Sequence, residues 1–193
     1  MKHLISEHAR EMLRWYGIYR EFGFSETQIV SLQPGKKERF APPMSFPDQI
    51  ISLLAGESQL GLVMSGCHFC LDFDNEQAYQ KWCEVNPALK HTTTGKTPAG
   101  YHVLFRVTDE NYAPPSGKGP NVSIIADGWY IAVCPSLHPS GQQYKWLTYP
   151  AHDSVYVVQN VDVVLNGIDT SSIKWNVDDY REYSDDDDEW GYS

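Results

Sequence analysis

Near the start of the chain, Leu4, His8, Met12, Trp15 and Tyr19 recur every three or four positions. This spacing predicts an amphipathic helix over about 5–22, broken by Gly23 and Ser25-Glu26-Thr27. A short strand and a basic loop follow over Ser31–Arg39, ended by Pro42-Pro43. A second helix is expected from Phe46 to Glu57, with Phe46, Ile50, Leu53 and Leu54 as its buried stripe. The apolar run from Leu60 to Asp74 reads as one buried strand. Asn75 then caps a helix through about Val85, with Tyr79, Trp82 and Cys83 on its core face. Strands are predicted at Val103–Val107, Asn121–Ala126 and Trp129–Val133, and Asp127-Gly128 is a two-residue hairpin signal between the last two. Val155–Val158 and Val161–Leu165 suggest further strand or a short helix. Strands interleaved with helices favour an α+β domain with a mixed sheet.

The 193 residues suffice for one domain with a proper core. The expected division is a domain over 1–175 and an acidic tail over 176–193. That tail holds eight acids against Arg181, a net of −7 out of the chain's −10. The body therefore carries only −3, so any nucleic acid must be held locally and salt-sensitively. The tail is low in aliphatics and dotted with Tyr180, Tyr183, Trp190 and Tyr192, and is expected to be disordered in isolation. It suits a solvated tail, a hook for a partner, or a mimic of nucleic acid. No run of eighteen apolar residues and no signal-peptide layout occurs, so no membrane association is expected. Four cysteines in a chain of this size fit reduced thiols in a cytoplasm.

The candidate chemistry centres on Leu71-Asp72-Phe73-Asp74. On a strand Asp72 and Asp74 share a face about 7 Å apart, with Leu71 and Phe73 on the other. Two such carboxylates repel unless a cation lies between them, and Mg²⁺ or Mn²⁺ takes ligands of this kind with substrate phosphates. Downstream stand Thr97-Pro98-Ala99-Gly100-Tyr101-His102, then Cys134-Pro135-Ser136, His138-Pro139-Ser140-Gly141, Tyr144 and Trp146. Cys67-His68-Phe69-Cys70 invites a zinc reading, but Cys83 and Cys134 are isolated and cannot supply the usual second pair.

In order and spacing this set resembles the primase-polymerase (prim-pol) domain of the archaeo-eukaryotic primase superfamily, over roughly Leu32 to Trp146. The resemblance implies an RRM-like mixed-sheet catalytic core beside a smaller N-terminal α/β unit. It also implies a metal-dependent nucleotidyltransferase of the DNA primase and polymerase type. Asp72 and Asp74 would hold Mg²⁺ or Mn²⁺, and His102 would contact the phosphates of an incoming nucleoside triphosphate. Gly100 would let backbone approach a phosphate. Lys36, Lys37 and Arg39 lie in the loop that approaches nucleotide or template in relatives. Lys96, Lys118, His138 and Ser140 are further phosphate candidates, whereas Tyr144 and Trp146 are expected in the core. The implied partners are nucleoside triphosphates and single-stranded or primed nucleic acid, with a replication protein as a partner for the acidic tail. A chain of this one domain suits a phage, plasmid or other mobile element.

One position departs from the pattern. The family places a third acid at the start of the strand before Asp127-Gly128, and Ser123 stands there. Serine is a neutral, poor ligand, and Asp127 lies four residues away, about 13 Å along a strand. A catalytically impaired protein that keeps nucleotide or nucleic acid as a ligand is therefore the first alternative. An interaction protein working through its tail and a metal-dependent nuclease are the others.

Overall fold

The computed structural model describes residues 6–109, 112–149 and 154–175. The predicted acidic tail lies outside them. Helix α1 (Glu7–Glu21) begins where the Ser6 side chain accepts the amide of Ala9, and it buries Ala9, Met12, Trp15, Tyr16 and Tyr19. His8 turns to solvent instead of joining that stripe. Gly23, at φ 107°, ends the segment in a conformation that suits glycine.

Helix α2 (Phe46–Ala55) runs from a Ser45 cap to Gly56 in the left-handed region. Its expected four-residue stripe shrinks to Leu53, with Ile50 partly covered and Phe46 exposed. Helix α3 (Glu76–Val85) starts at Asn75, which accepts the amide of Ala78, and buries Tyr79 and Trp82 with Cys83 half-buried.

Strands β1 (Ile29–Leu32), β2 (Gln59–Val63) and β8 (Tyr130–Ala132) form a small antiparallel sheet in the order β1-β2-β8. The large sheet contains β3 (His68–Phe73), β4 (Thr94–Lys96), β5 (Tyr101–Val107), β6 (Gly117–Lys118), β7 (Val122–Ile125), β9 (Lys145–Trp146), β10 (Tyr156–Val158) and β11 (Lys174–Trp175). Its order is β11-β6-β7-β3-β5-β4-β9, and β10 lies parallel to the second half of β5. Three helices on a mixed sheet and a small antiparallel one make the expected α+β class. The smaller unit is built from α1, β1, α2 and β2, completed by β8 from later in the chain.

Two sequence expectations change. The 60–74 run is two strands, because Ser65-Gly66-Cys67 turns the chain at Gly66 (φ 60°) and sends β2 and β3 into different sheets. Likewise Asp127 (φ 47°) and Gly128 (φ 87°) adopt the backbone of a two-residue hairpin turn, yet β7 and β8 do not pair. Backbone bonds at Met64, just after β2, explain both. The Met64 N–H donates to Trp129 O and the Gly128 N–H donates to Met64 O, so the two crossovers between sheets lie side by side.

β3 thus has two distinct faces. Phe69, Leu71 and Phe73 pack with Tyr79 and Trp82 of α3, while Cys70 joins Leu104, Ile125 and the α1 aromatics in a second core. Asp72 shares the face of Cys70, the side turned toward the small sheet.

Candidate active site

Asp72 is the centre of a register row. Across β3–β5 it stands opposite His102, and across β3–β7 opposite Ser123, which in turn faces Lys118 on β6. Directly opposed residues in a ladder share a face, so these four side chains emerge from one side of the sheet. The His102 Nε2 lies 3.4 Å from Asp72 Oδ1. On the far side of His102 the row continues to Gly95 and Trp146; a Cβ on Gly95 would sit 3.2 Å from the Trp146 ring.

Asp74 follows the last residue of β3. Its N–H donates to Asn121 O at 3.1 Å, and the Asn75 side chain donates to Asn121 Oδ1 at 3.1 Å. Although Asp74 is exposed as a residue, many protein atoms surround its carboxyl. That crowding first, and the Asp72 carboxylate second, push its pKa up to about 6, against the opposing pull of Lys118 and Lys37.

Beneath Asp74 lies Gly100. A Cβ there would lie 1.6 Å from Phe73 O and 2.9 Å from the Asp74 carbonyl carbon. Glycine at this position lets the turn between β4 and β5 underpin the acidic segment. The turn is closed by Gly100 N–H to Thr97 Oγ1 at 2.7 Å. This close approach is to the protein's own backbone, whereas sequence reasoning had assigned it to a phosphate.

Between the two sheets a cavity of about 40 Å³ is lined by Lys37, Asp72, His102, Tyr130 and Tyr144, with Ile125, Ile131 and Ala132 as apolar wall. The Tyr144 ring stacks on His102 (centroids 5.9 Å, planes 18° apart) and meets His138 edge-on at 6.0 Å. Burial, and then the Asp72 carboxylate, raise the Tyr144 phenol above its ordinary pKa, so it stays a neutral donor. His138 is oriented by Ser140, whose N–H donates to Nδ1 at 3.1 Å. The His-Pro-Ser-Gly loop therefore reaches the site through Tyr144, which is buried as expected of a core residue but also lines the cavity.

The basic candidates separate. Lys37 lines the cavity and Lys118 flanks Asp74. Arg39 stacks over the Tyr130 ring at 5.7 Å, behind the cavity wall. Lys36 is exposed and pairs with Glu38 at 3.5 Å. Lys96 pairs with Glu76 at 3.7 Å and lies 4.0 Å over the Tyr101 ring, on the α3 side of the sheet. Ser136 is committed to structure, its hydroxyl donating to Leu60 O at 2.9 Å and accepting from Leu60 N at 2.8 Å.

Cys67 and Cys70 pack into opposite cores. His68 stacks on Phe24 at 4.4 Å. Among the described residues no group of three or more His, Cys, Asp or Glu side chains is placed to hold a metal ion. Ser123, only 3 % exposed, occupies the ladder position beside Asp72 where a third carboxylate would stand. Tyr130 escaped sequence reading, since a tyrosine in a short strand has no periodic signal of function. Tyr144 carried one, its place after His-Pro-Ser-Gly. A larger cavity of about 380 Å³ lies on the opposite side of β3, against Phe73, Trp82 and Val122.

The large sheet thus carries Asp72 and His102 on adjacent strands, with Asp74 just beyond the end of β3, and the small sheet covers them. The chain matches the family described as bifunctional DNA primase/polymerase, N-terminal, over residues 30–157, and it belongs to that family. No curated protein matches it. Membership implies binding of nucleotide and nucleic acid. Among the described residues no helix is long and apolar enough to cross a membrane.

Proposed function

We propose that this protein is a metal-dependent nucleotidyltransferase of the DNA primase and polymerase type, acting on nucleoside triphosphates and a single-stranded or primed template. The observation that carries this reading is the placement of Asp72 in one row with His102 and Ser123, beside Asp74. The donor set fits one Mg²⁺ or Mn²⁺: two neighbouring carboxylates, one raised by burial first and by the other second, are what a divalent cation relieves. Magnesium commonly takes one or two carboxylates and completes its shell with substrate phosphates. Asp72 and Asp74 would hold it, and it would neutralise the triphosphate charge.

The chain's own residues then divide the work. His102 donates a hydrogen bond toward a phosphate oxygen while Asp72 fixes its ring. Tyr144 holds the other face of that ring and keeps water from the cavity. Lys37, on the cavity wall, offsets the charge that the nucleotide brings.

A second reading is favoured by Ser123, since no third carboxylate joins the pair among the described residues. In it the same site binds a metal-nucleotide complex without turnover. Incorporation of labelled NTP and dNTP on single-stranded and primed templates, with Mg²⁺ or Mn²⁺, separates the two. Extension that vanishes in Asp72→Asn and Asp74→Asn supports the enzyme. Metal-dependent nucleotide binding without extension replaces it by the binding module, and strand cleavage without nucleotides by a nuclease. The acidic tail is assigned to a replication-protein partner; partner capture that survives deletion of 176–193 removes that role.

A further inference from the structure

The row that contains Asp72 does not end at Lys118. On the edge strand β11, Lys174 stands directly opposite Lys118, so two lysines share one face of an antiparallel pair. Like charges opposed in this way destabilise a ladder. Among the described residues Lys174 itself forms no ion pair. Across the sheet the sequence of side chains is thus cation, cation, the neutral Ser123, then Asp72 and His102.

Neighbouring strands lie about 4.8 Å apart, which puts Lys118 roughly 10 Å and Lys174 roughly 14 Å from Asp72. Both lysines are exposed, on flexible stems. Resting on the nucleic-acid reading above, we infer that the β6–β11 edge is the track of the nucleic-acid strand, with Lys118 and Lys174 gripping its phosphates on the way to Asp72. On the other flank the row itself runs to Gly95 and Trp146, while the lysines of those strands, Lys96 and Lys145, oppose each other one position along the ladder, with Lys96 already paired to Glu76.

The test is binding of a fluorescent single-stranded oligothymidylate to the full chain, titrated across about 50 to 200 mM salt. Each phosphate contact to a single strand contributes about 0.7 to the slope of log affinity against log salt. The K118Q/K174Q double variant should bind several-fold more weakly at the low-salt end and flatten the slope by about 1.4. K174R should keep both affinity and slope, and Lys90→Gln, at an exposed position outside the row, should match the unmodified chain. A double variant with unchanged affinity and slope overturns the track while leaving the nucleic-acid reading standing. An unmodified chain that binds no strand at any salt overturns both.

Discussion

Gly100 and Phe73 are in such close backbone contact that a single added methyl group at Gly100 would fall 1.6 Å from the Phe73 carbonyl oxygen. Two segments distant in the sequence, the acidic strand end and the turn before His102, are therefore locked by the absence of a side chain. Gly100→Ala should push the Phe73–Asp74 peptide away and cost about 3 kcal/mol of stability. Metal-dependent nucleotide binding should fall more steeply than the melting temperature, because the displaced peptide carries Asp74 and adjoins Asp72. Thermal melting and nucleotide titration of the same sample check this; a variant with unmodified stability contradicts the packing.

Asp74 makes a trade between stability and ligand. Its folded pKa, at about 6, lies above the unfolded value near 3.8, so the folded chain holds the proton more tightly between those limits. Stability therefore falls as pH rises from about 4 to 6 and stays lower above. Asp74→Asn should match the unmodified chain near pH 4 and melt at higher temperature at pH 7. Added Mn²⁺ should raise the melting temperature of the unmodified chain only. Scans at both pH values, with and without the ion, test each part, and equal melting at pH 7 counts against the crowding.

Ser123 occupies the ladder place next to Asp72 with almost no exposure. Placing a carboxylate there puts a third charge into a crowded, buried spot. Ser123→Asp should lose on the order of 3 kcal/mol without metal and recover part of it with Mn²⁺. Equal stability with and without the ion would show that the third acid does not share a cation with the pair.

His68 is an acid sensor for the fold. Burial first, and Arg106 second, lower its pKa to about 4 from an ordinary 6.5. Between those values the unfolded chain binds the proton and the folded chain does not, so stability drops as pH falls from about 6.5 to 4. The drop amounts to roughly 3 kcal/mol. His68→Gln should flatten that part of the profile, read by denaturant melts across the range. An unaltered slope assigns the acid sensitivity elsewhere.

Local patterns carried much of this molecule. Asn75 accepts a helix amide as its sequence position predicts, and Ser6 and Ser45 do the same at the other two helices. The three helices, the strand at 101–107 and the turn at Asp127-Gly128 follow from periodicity and turn chemistry, which act over a few residues. Strand alternation put Asp72 and Asp74 on one face, whereas His102 and Ser123 drew notice only through the family resemblance.

Pairing was another matter. A continuous apolar run does not reveal that β2 and β3 belong to different sheets, and a two-residue turn does not say that its flanking strands pair. Met64 decides both, through backbone bonds to residues more than sixty positions away. Lys37 and Lys118 were drawn to the acids and Lys36 and Lys96 were not, although neighbouring positions looked alike in the sequence. The placement of Tyr144 between His102 and His138, the purpose of Gly100 and the opposition of Lys118 to Lys174 arise only from register between distant strands. The sequence by itself determined which residue types were present, their local conformation and the face each could take. Tertiary structure decided which faces meet, because long-range pairing and packing depend on contacts that no local window contains.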